Sequence, residues 1–256
     1  MLEELIGIAI EAGRAVLEIY TSDTFFVKEK SDKSPLTLAD EKSHDIIYKK
    51  LTAAFPDIPV ISEEGKDITY DLRKGYERFF LVDPLDGTKE FVNKNGEFTI
   101  NIALIENNLP VAGVIYIPVS NETYYGSVHL GSFKIDSSGI VSPINVSSKS
   151  IDDELDVVQS RSHSGEEESR FYSKYRVRNK VSKGSSLKIC LVAEGKADLY
   201  FRSGPTYEWD IAAGHAILLG ANGFFVTKDY EKQNYNKPAL LNTGFVASSF
   251  PVTGLK

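Results

Sequence analysis

The 256-residue chain predicts a mixed α and β fold, and three patterns carry that expectation. Apolar residues recur at helical spacing over 2–20 and 37–54 and fill most of 210–220. β-branched and aromatic runs of strand length occupy 58–62, 79–83, 98–106, 111–117 and 122–127. Asn107-Asn108 stands between two alternating runs, where a tight hairpin turn belongs.

Taken in order, the stretch 2–20 is broken by Glu3, Glu4, Glu11 and Arg14 and has no basic leader. Those charges argue against a signal peptide or a membrane span. An extended loop of mixed charge leads to helix 37–54, where Thr37 and Asp40 have capping-box spacing ahead of an Ile46, Ile47, Leu51 face. The second half alternates strands at 156–160, 197–201, 223–226 and 245–248 with helices at 165–175, 185–194 and 210–220. Gly126, Gly131, Gly139 and nearby serines set a boundary within 126–150. It divides an N-terminal α+β lobe, 1–126, from a C-terminal α/β lobe, 127–256.

Composition narrows the class. Apolar residues at 42% are enough for a sizeable core, which excludes wholesale disorder. A single cysteine, Cys190, forbids an internal disulfide and a Cys-rich zinc site, in keeping with a reducing, cytoplasmic setting. The four histidines form no His-x-x-Glu-His pattern, and Glu166-Glu167-Glu168 reads as a solvated helix face. A net charge of −7 argues against a nucleic-acid polymer as partner.

The chemistry concentrates at Asp83-Pro84-Leu85-Asp86-Gly87-Thr88, directly after the buried-strand run Phe79-Phe80-Leu81-Val82. Pro84 is expected to end the strand, and Gly87 to let the backbone approach a ligand. Hard carboxylate oxygens on such a turn suit Mg²⁺ held together with a phosphate; a plain surface turn uses the same letters. Glu63, in Ser62-Glu63-Glu64-Gly65, follows the short run Val60-Ile61, with a solvated acidic loop as the alternative. Asp210, after Trp209, opens the apolar stretch 211–219, with an N-cap as the alternative. Carboxylates about 4 Å apart repel by roughly 4 kcal/mol per pair at an effective dielectric near 20. A cluster of Glu63, Asp83, Asp86 and Asp210 therefore calls for cations, which also turn it into a phosphate site.

At these residues the chain resembles the inositol monophosphatase superfamily, and within it the 3'(2'),5'-bisphosphate nucleotidases of the CysQ type. The resemblance runs nearly end to end: Lys30 to Asp40, Pro59 to Glu64, Leu81 to Pro118, Ser160 to His163, Gly184 to Lys188, Leu191 to Gly195 and Trp209 to His215. The continuation Thr88-Lys89-Glu90-Phe91 is the nucleotidase-like form, where inositol phosphatases usually read Thr-Thr-Asn-Phe. Haloacid-dehalogenase-type enzymes share Asp-Gly-Thr but need an aspartyl nucleophile two residues before the second Asp. Here that position is Pro84, which excludes them.

The resemblance implies a layered α-β-α-β-α sandwich of the inositol monophosphatase / fructose-1,6-bisphosphatase type. It implies two or three Mg²⁺ ions: Glu63, Asp83 and the Leu85 carbonyl on one, Asp83, Asp86 and Asp210 on the second. Asp40 and Thr88 would orient and deprotonate the water, and the Gly87 and Thr88 N–H groups would hold the phosphate. The implied reaction is hydrolysis of adenosine 3',5'-bisphosphate to AMP and phosphate, in the nucleotide recycling of sulfur assimilation, with Li⁺ as inhibitor. A second anion subsite is expected at Ser185 and Lys188 and at Ser162 and His163, with a solvated lysine and an N-cap serine as the alternative. The implied partner is a small-molecule nucleotide, and the implied enzyme is a monomer or homodimer, cytoplasmic or peripherally associated with the inner membrane. An inositol-phosphate or sugar-bisphosphate phosphatase would keep the same metal core with another substrate wall, and a nucleotide-binding sensor is the non-enzyme alternative.

Overall fold

The computed structural model describes residues 1–22, 27–29, 35–65, 68–161 and 165–252. Helix α1 (Leu2–Thr21) precedes an antiparallel pair, β1 (Val27–Glu29) and β2 (Pro35–Thr37), then helix α2 (Leu38–Ala54) and β3 (Val60–Ser62). A helical turn, α3 (Tyr70–Arg73), leads to the central strand β4 (Arg78–Asp86) and the short helix α4 (Thr88–Val92). A meander follows: β5 (Thr99–Glu106), β6 (Leu109–Ile117), β7 (Glu122–Ser127), β8 (Gly131–Ile135) and β9 (Val141–Ile144). The remaining elements are β10 (Leu155–Ser160), α5 (Glu166–Tyr172), β11 (Val177–Lys183), α6 (Leu187–Ala193) and β12 (Leu199–Arg202). After them come β13 (Thr206–Tyr207), α7 (Glu208–Gly220), β14 (Phe224–Thr227), β15 (Leu241–Asn242) and β16 (Phe245–Ser248).

Strands β3 to β9 form one sheet in sequence order, parallel at β3–β4 and antiparallel beyond. A second, mixed sheet runs β11-β10-β12-β16-β14. The run Phe79-Phe80-Leu81-Val82 is apolar at every position because both faces of β4 are covered. Phe80 and Val82 pack with Leu5, Ile8 and Ile47 of α1 and α2. Phe79 and Leu81 pack on the other side with Ile211, Ile217 and Ile189 of α7 and α6. Those helices also cover one face of the second sheet, through Tyr200 and Phe245. Its outer face, Val157, Leu199 and Val246, packs on Phe171 and Tyr172 of α5. The order is α-β-α-β-α, as the resemblance implied. Close layer spacing depends on Gly113, where a Cβ would stand 2.4 Å from the Ala213 carbonyl oxygen of α7.

Asn107 and Asn108 both take positive φ, 50° and 63°, as a tight hairpin turn with right-handed strand twist requires. The first sheet does not stop at 127: β8 and β9 extend it to Ile144, and a cut at 126/127 would separate hydrogen-bonded strands. Pro84 does not end β4. The ladder shifts register between Asp83 and Asp86, pairing them with Asn101 and Thr99, so the proline occupies a bulge that needs no N–H. Edge strand β11 was not expected, because its charged, exposed residues carry no alternating apolar pattern. Among the described residues no helix is long and apolar enough to cross a membrane.

His215 of α7 is buried, stacked on Phe225 at 4.2 Å between ring centres, with Nδ1 2.9 Å from the Tyr235 hydroxyl. Burial, and then Lys232, pull its pKa down to about 3. Below about pH 6.5 the unfolded chain takes up a proton that the folded chain refuses until about 3, so stability falls as pH falls through that window. Urea midpoints measured from pH 7 to 4 should therefore show a shallower acid limb for His215→Phe than for the wild type; equal slopes would mean that folded His215 titrates normally.

Candidate active site

Parallel pairing of β3 and β4 aligns Ser62 with Val82, and Glu63 N–H donates to the Val82 carbonyl at 3.1 Å. Glu63 and Asp83 therefore leave the same end of two adjacent strands. Helix α2 is tied to that end twice: Ser43 Oγ donates to the Pro84 carbonyl at 2.7 Å, and His44 Nδ1 lies 2.8 Å from Ser62 Oγ. These ties set Asp40, fully buried in the first turn of α2, beside Asp83. The side chain of Thr37 lies outside the described residues, so the capping-box expectation rests on Asp40 alone.

Helix α7 begins at Glu208, two residues before the expected start, so Asp210 is its third residue and Tyr207 its N-cap. Asp210 Oδ2 accepts the Tyr207 N–H at 2.8 Å. One carboxylate oxygen thus closes the helix terminus, as the N-cap alternative foresaw in part, while the group faces Asp86 and Glu63. Burial first, and then repulsion from Glu63, Asp86, Asp210 and Asp40, raises the Asp83 pKa well above the carboxylate range. Burial and then Asp86 do the same to Asp210. Among the described residues no three carboxylate, imidazole or thiol groups close into a finished metal cage. The donor chemistry is nevertheless that of a hard cation: all oxygen, anionic, and mutually repulsive without one.

Gly87 has φ +91° and precedes Thr88 at the start of α4. A side chain there would be strained, and its Cβ would stand 3.3 Å from Ser185 Cβ in the turn before α6. A left-handed residue followed by a helical one turns successive N–H groups outward, a concavity suited to an anion. Hydroxyls also join β4 to the turn before α6. Asp86 Oδ2 accepts Ser185 Oγ at 2.6 Å and lies 2.8 Å from Ser186 Oγ, which is itself 2.9 Å from the Asp210 carbonyl. Thr99 Oγ1 stands 2.6 Å from Ser185 Oγ.

Asp86, Gly87, Ser185 and Ser186 line a cleft of about 480 Å³. Thr88 and Asp210 line it together with Lys188 and Arg202, and Tyr200, Tyr207, Leu241 and Phe245 add apolar wall. Asp83, Leu85 and Asp40 are buried. Lys188 departs from the expected free cation at a helix N-terminus. Its Nζ donates to the Lys183 and Ser185 carbonyls and lies 5.6 Å from the Tyr200 ring centre. Burial lowers its pKa to about 8 against the pull of Asp86. Ser186, not Ser185, is the N-cap of α6, and Ser185 takes a left-handed φ of 51°. Ser162 and His163 lie outside the described residues. Arg202, Ser186 and Glu90 also line the cleft and were not singled out in the sequence. Arg202 ends a strand, and that is the signal that could have found it.

A model described as the inositol monophosphatase family matches residues 1–254. The 3'(2'),5'-bisphosphate nucleotidase CysQ of Salmonella typhimurium is 42% identical over 247 residues, covering 96% of this chain and 98% of that protein. The corresponding Escherichia coli K12 protein is 40% identical over 252 residues, covering 98% and 100%. The crystal structure of CysQ from Bacteroides thetaiotaomicron superposes with a TM-score of 0.84 at 39% identity, covering 97% of each chain.

Asp83→Asn replaces a buried carboxyl whose ionised form Glu63, Asp86, Asp210 and Asp40 oppose, so it should raise the melting temperature of the chelator-treated protein. It should also abolish the further rise that Mg²⁺ gives the wild type, and cost more activity than Asp40→Asn. An Asp40→Asn protein that melts earlier yet turns over normally would show Asp40 to be a helix-terminus residue only.

Proposed function

The chain belongs to the inositol monophosphatase family and is a phosphatase, and on that footing we propose that it is a Mg²⁺-dependent 3'(2'),5'-bisphosphate nucleotidase hydrolysing adenosine 3',5'-bisphosphate to AMP and phosphate. The observation that carries the nucleotide, rather than an inositol phosphate, is a cleft lined by two cations, Lys188 and Arg202, as well as by carboxylates. Its carboxylates account for the phosphate that is cleaved. Lys188 and Arg202 answer a second phosphate on the same small molecule. A volume near 480 Å³ suits a nucleotide-sized ligand. The CysQ relatives named for this activity match over nearly the whole chain.

In this reading Glu63, Asp83, Asp86, Asp210 and the Leu85 carbonyl hold two Mg²⁺ ions, with a third beside Asp40 and Thr88. Bound divalent cations supply positive charge to the phosphate and make water nucleophilic at neutral pH. The chain's own groups do the remainder. Asp40 and Thr88 orient the attacking water and take its proton. The Gly87 and Thr88 N–H groups hold the transferred phosphate, and Ser185 and Ser186 keep Asp86 turned toward its neighbours. No side chain is phosphorylated. Every group named comes from one chain, so a monomer or a homodimer serves equally, in the cytoplasm and in the recycling of sulfur-assimilation nucleotides.

Phosphate release with Mg²⁺ across adenosine 3',5'-bisphosphate, inositol 1-phosphate and fructose 1,6-bisphosphate tests the assignment, with the first expected to lead in kcat/KM. Excess Ca²⁺ should inhibit because its larger, looser coordination misplaces the reacting groups. Full turnover after exhaustive chelation would overturn the metal reading.

Lys188→Ala should raise KM for the bisphosphate by roughly 10- to 150-fold, the value of a charge-assisted hydrogen bond. Hydrolysis of 3'-AMP, which lacks the second phosphate, should change far less. The same variant should melt earlier, since the Lys183 and Ser185 carbonyls lose their donor. Equal loss on both substrates would place the second phosphate elsewhere.

A further inference from the structure

Glu97 sits in the six-residue link between α4 and β5, yet its carboxylate is spent on the segments that follow β10 and β11. Oε1 accepts Arg161 Nη2 at 2.8 Å and Lys183 Nζ at 3.1 Å; Oε2 accepts the Gly184 N–H at 2.7 Å and Arg161 Nε at 3.3 Å. The side chain is only 12% exposed. The link that carries it is itself braced: Glu97 N–H donates to Asn95 Oδ1 at 2.9 Å, Asn95 N–H to the Glu90 carbonyl at 3.2 Å, and the following Phe98 is fully buried.

The donors Glu97 gathers are the residues just beyond or at the ends of two parallel strands. Arg161 follows β10 and donates its backbone N–H to the Lys183 carbonyl at the end of β11. Gly184 opens the turn that presents Ser185, Ser186 and Lys188 to the cleft. Three cationic or N–H groups from two segments, Arg161 after β10 and Lys183-Gly184 at the end of β11, therefore converge on one anion anchored beside α4. Burial works against that anion, and the hydrogen bonds from Arg161, Gly184 and Lys183 outweigh it, holding its pKa below the usual carboxylate range. The glycine at 184 belongs to the same arrangement: a Cβ there would stand 2.5 Å from Glu90 Cγ, so the turn lies flat against α4.

We propose that Glu97 is a positioning residue that clamps the 160–161 and 183–186 segments to the link between α4 and β5 and so sets the place at which the substrate's second phosphate is read. Its carboxylate is taken up by Arg161, Lys183 and Gly184 and, on this account, does not touch the substrate. Its effect runs through Gly184 and Arg161, and the proposal rests on the nucleotidase reading above.

The test uses the full chain with Mg²⁺, comparing Glu97→Gln, Glu97→Asp and Lys183→Met on adenosine 3',5'-bisphosphate and 3'-AMP, with a thermal melt of each. Glu97→Gln should raise KM for the bisphosphate about tenfold, on the scale of one charge-assisted hydrogen bond. Its kcat and its half-activating Mg²⁺ should stay near wild type, and 3'-AMP should lose far less. Glu97→Asp, which keeps the charge on a shorter arm, should recover part of the loss, and Lys183→Met should show a weaker form of it. Equal loss on both substrates, or an unchanged bisphosphate KM in folded Glu97→Gln protein, overturns the clamp. Should Glu97→Gln not fold, Lys183→Met decides by the same substrate comparison. A wild-type enzyme that does not prefer the bisphosphate to 3'-AMP overturns the nucleotidase reading instead, and that outcome is read before any variant is made.

Discussion

Everything in the molecule is arranged around carboxylates forced together at the end of β4. Asp83 is buried against Glu63, Asp86, Asp210 and Asp40, and at spacings near 4 Å each such pair costs roughly 4 kcal/mol at an effective dielectric near 20. No local preference brings these groups together, since they come from α2, the end of β3, β4 and α7. The packing of two sheets on the shared helices must therefore supply the convergence. That explains why β4 is covered on both faces and why α7 is wedged close enough to β6 to need Gly113.

The bulge at Pro84 is part of the same constraint. An unbroken antiparallel ladder would place Asp83 and Asp86 on opposite faces of the strand, because side chains alternate. One extra residue between them restores a common side, while pairing resumes at Asp86–Thr99 and keeps the segment rigid. Proline suits the position because its missing N–H costs nothing in the bulge, and its carbonyl is used by Ser43 of α2. The helix that carries Asp40 is thus registered on the very residue that redirects Asp86.

The legibility of the sequence followed the physics of each element. The long helices, the β5–β6 hairpin and the strand at 79–83 announce themselves, since their apolar periods and turn residues are local signals. The resemblance at Asp83 to Phe91 then reached the layer order, which periodicity could not. Strands β8, β9 and β11 stayed hidden because none carries an alternating apolar pattern: β8 and β9 are short and hold glycine, serine or proline, and β11 is exposed and charged, so that their pairing partners, not their own composition, make them strands. The acidic lining of the cleft was readable from carboxylates placed just past strand ends. The cationic lining was only half readable: the Gly184 to Lys188 run stood out, but Arg202 and Glu97 act through distant partners that no spacing reveals. Lys188 shows the limit most clearly, because the sequence cannot say that its ammonium closes its own turn.

An acidic chain of net charge −7 hydrolysing a polyanion would be self-defeating if the charge were spread evenly. It is sorted instead. Acids gather where cations can neutralise them; Lys188 and Arg202 line the cleft beside them, and Arg161 and Lys183 stand at the neighbouring strand ends. Left alone, four neighbouring cations would repel one another and splay the loops that carry them. Glu97 engages two of them from the link before β5, and backbone carbonyls hold Lys188, so the cationic wall keeps its shape before any phosphate arrives. Substrate selection then depends less on how many charges the wall holds than on how firmly that link holds the wall, which is why a carboxylate taken up by Arg161, Lys183 and Gly184 belongs to the specificity of the site.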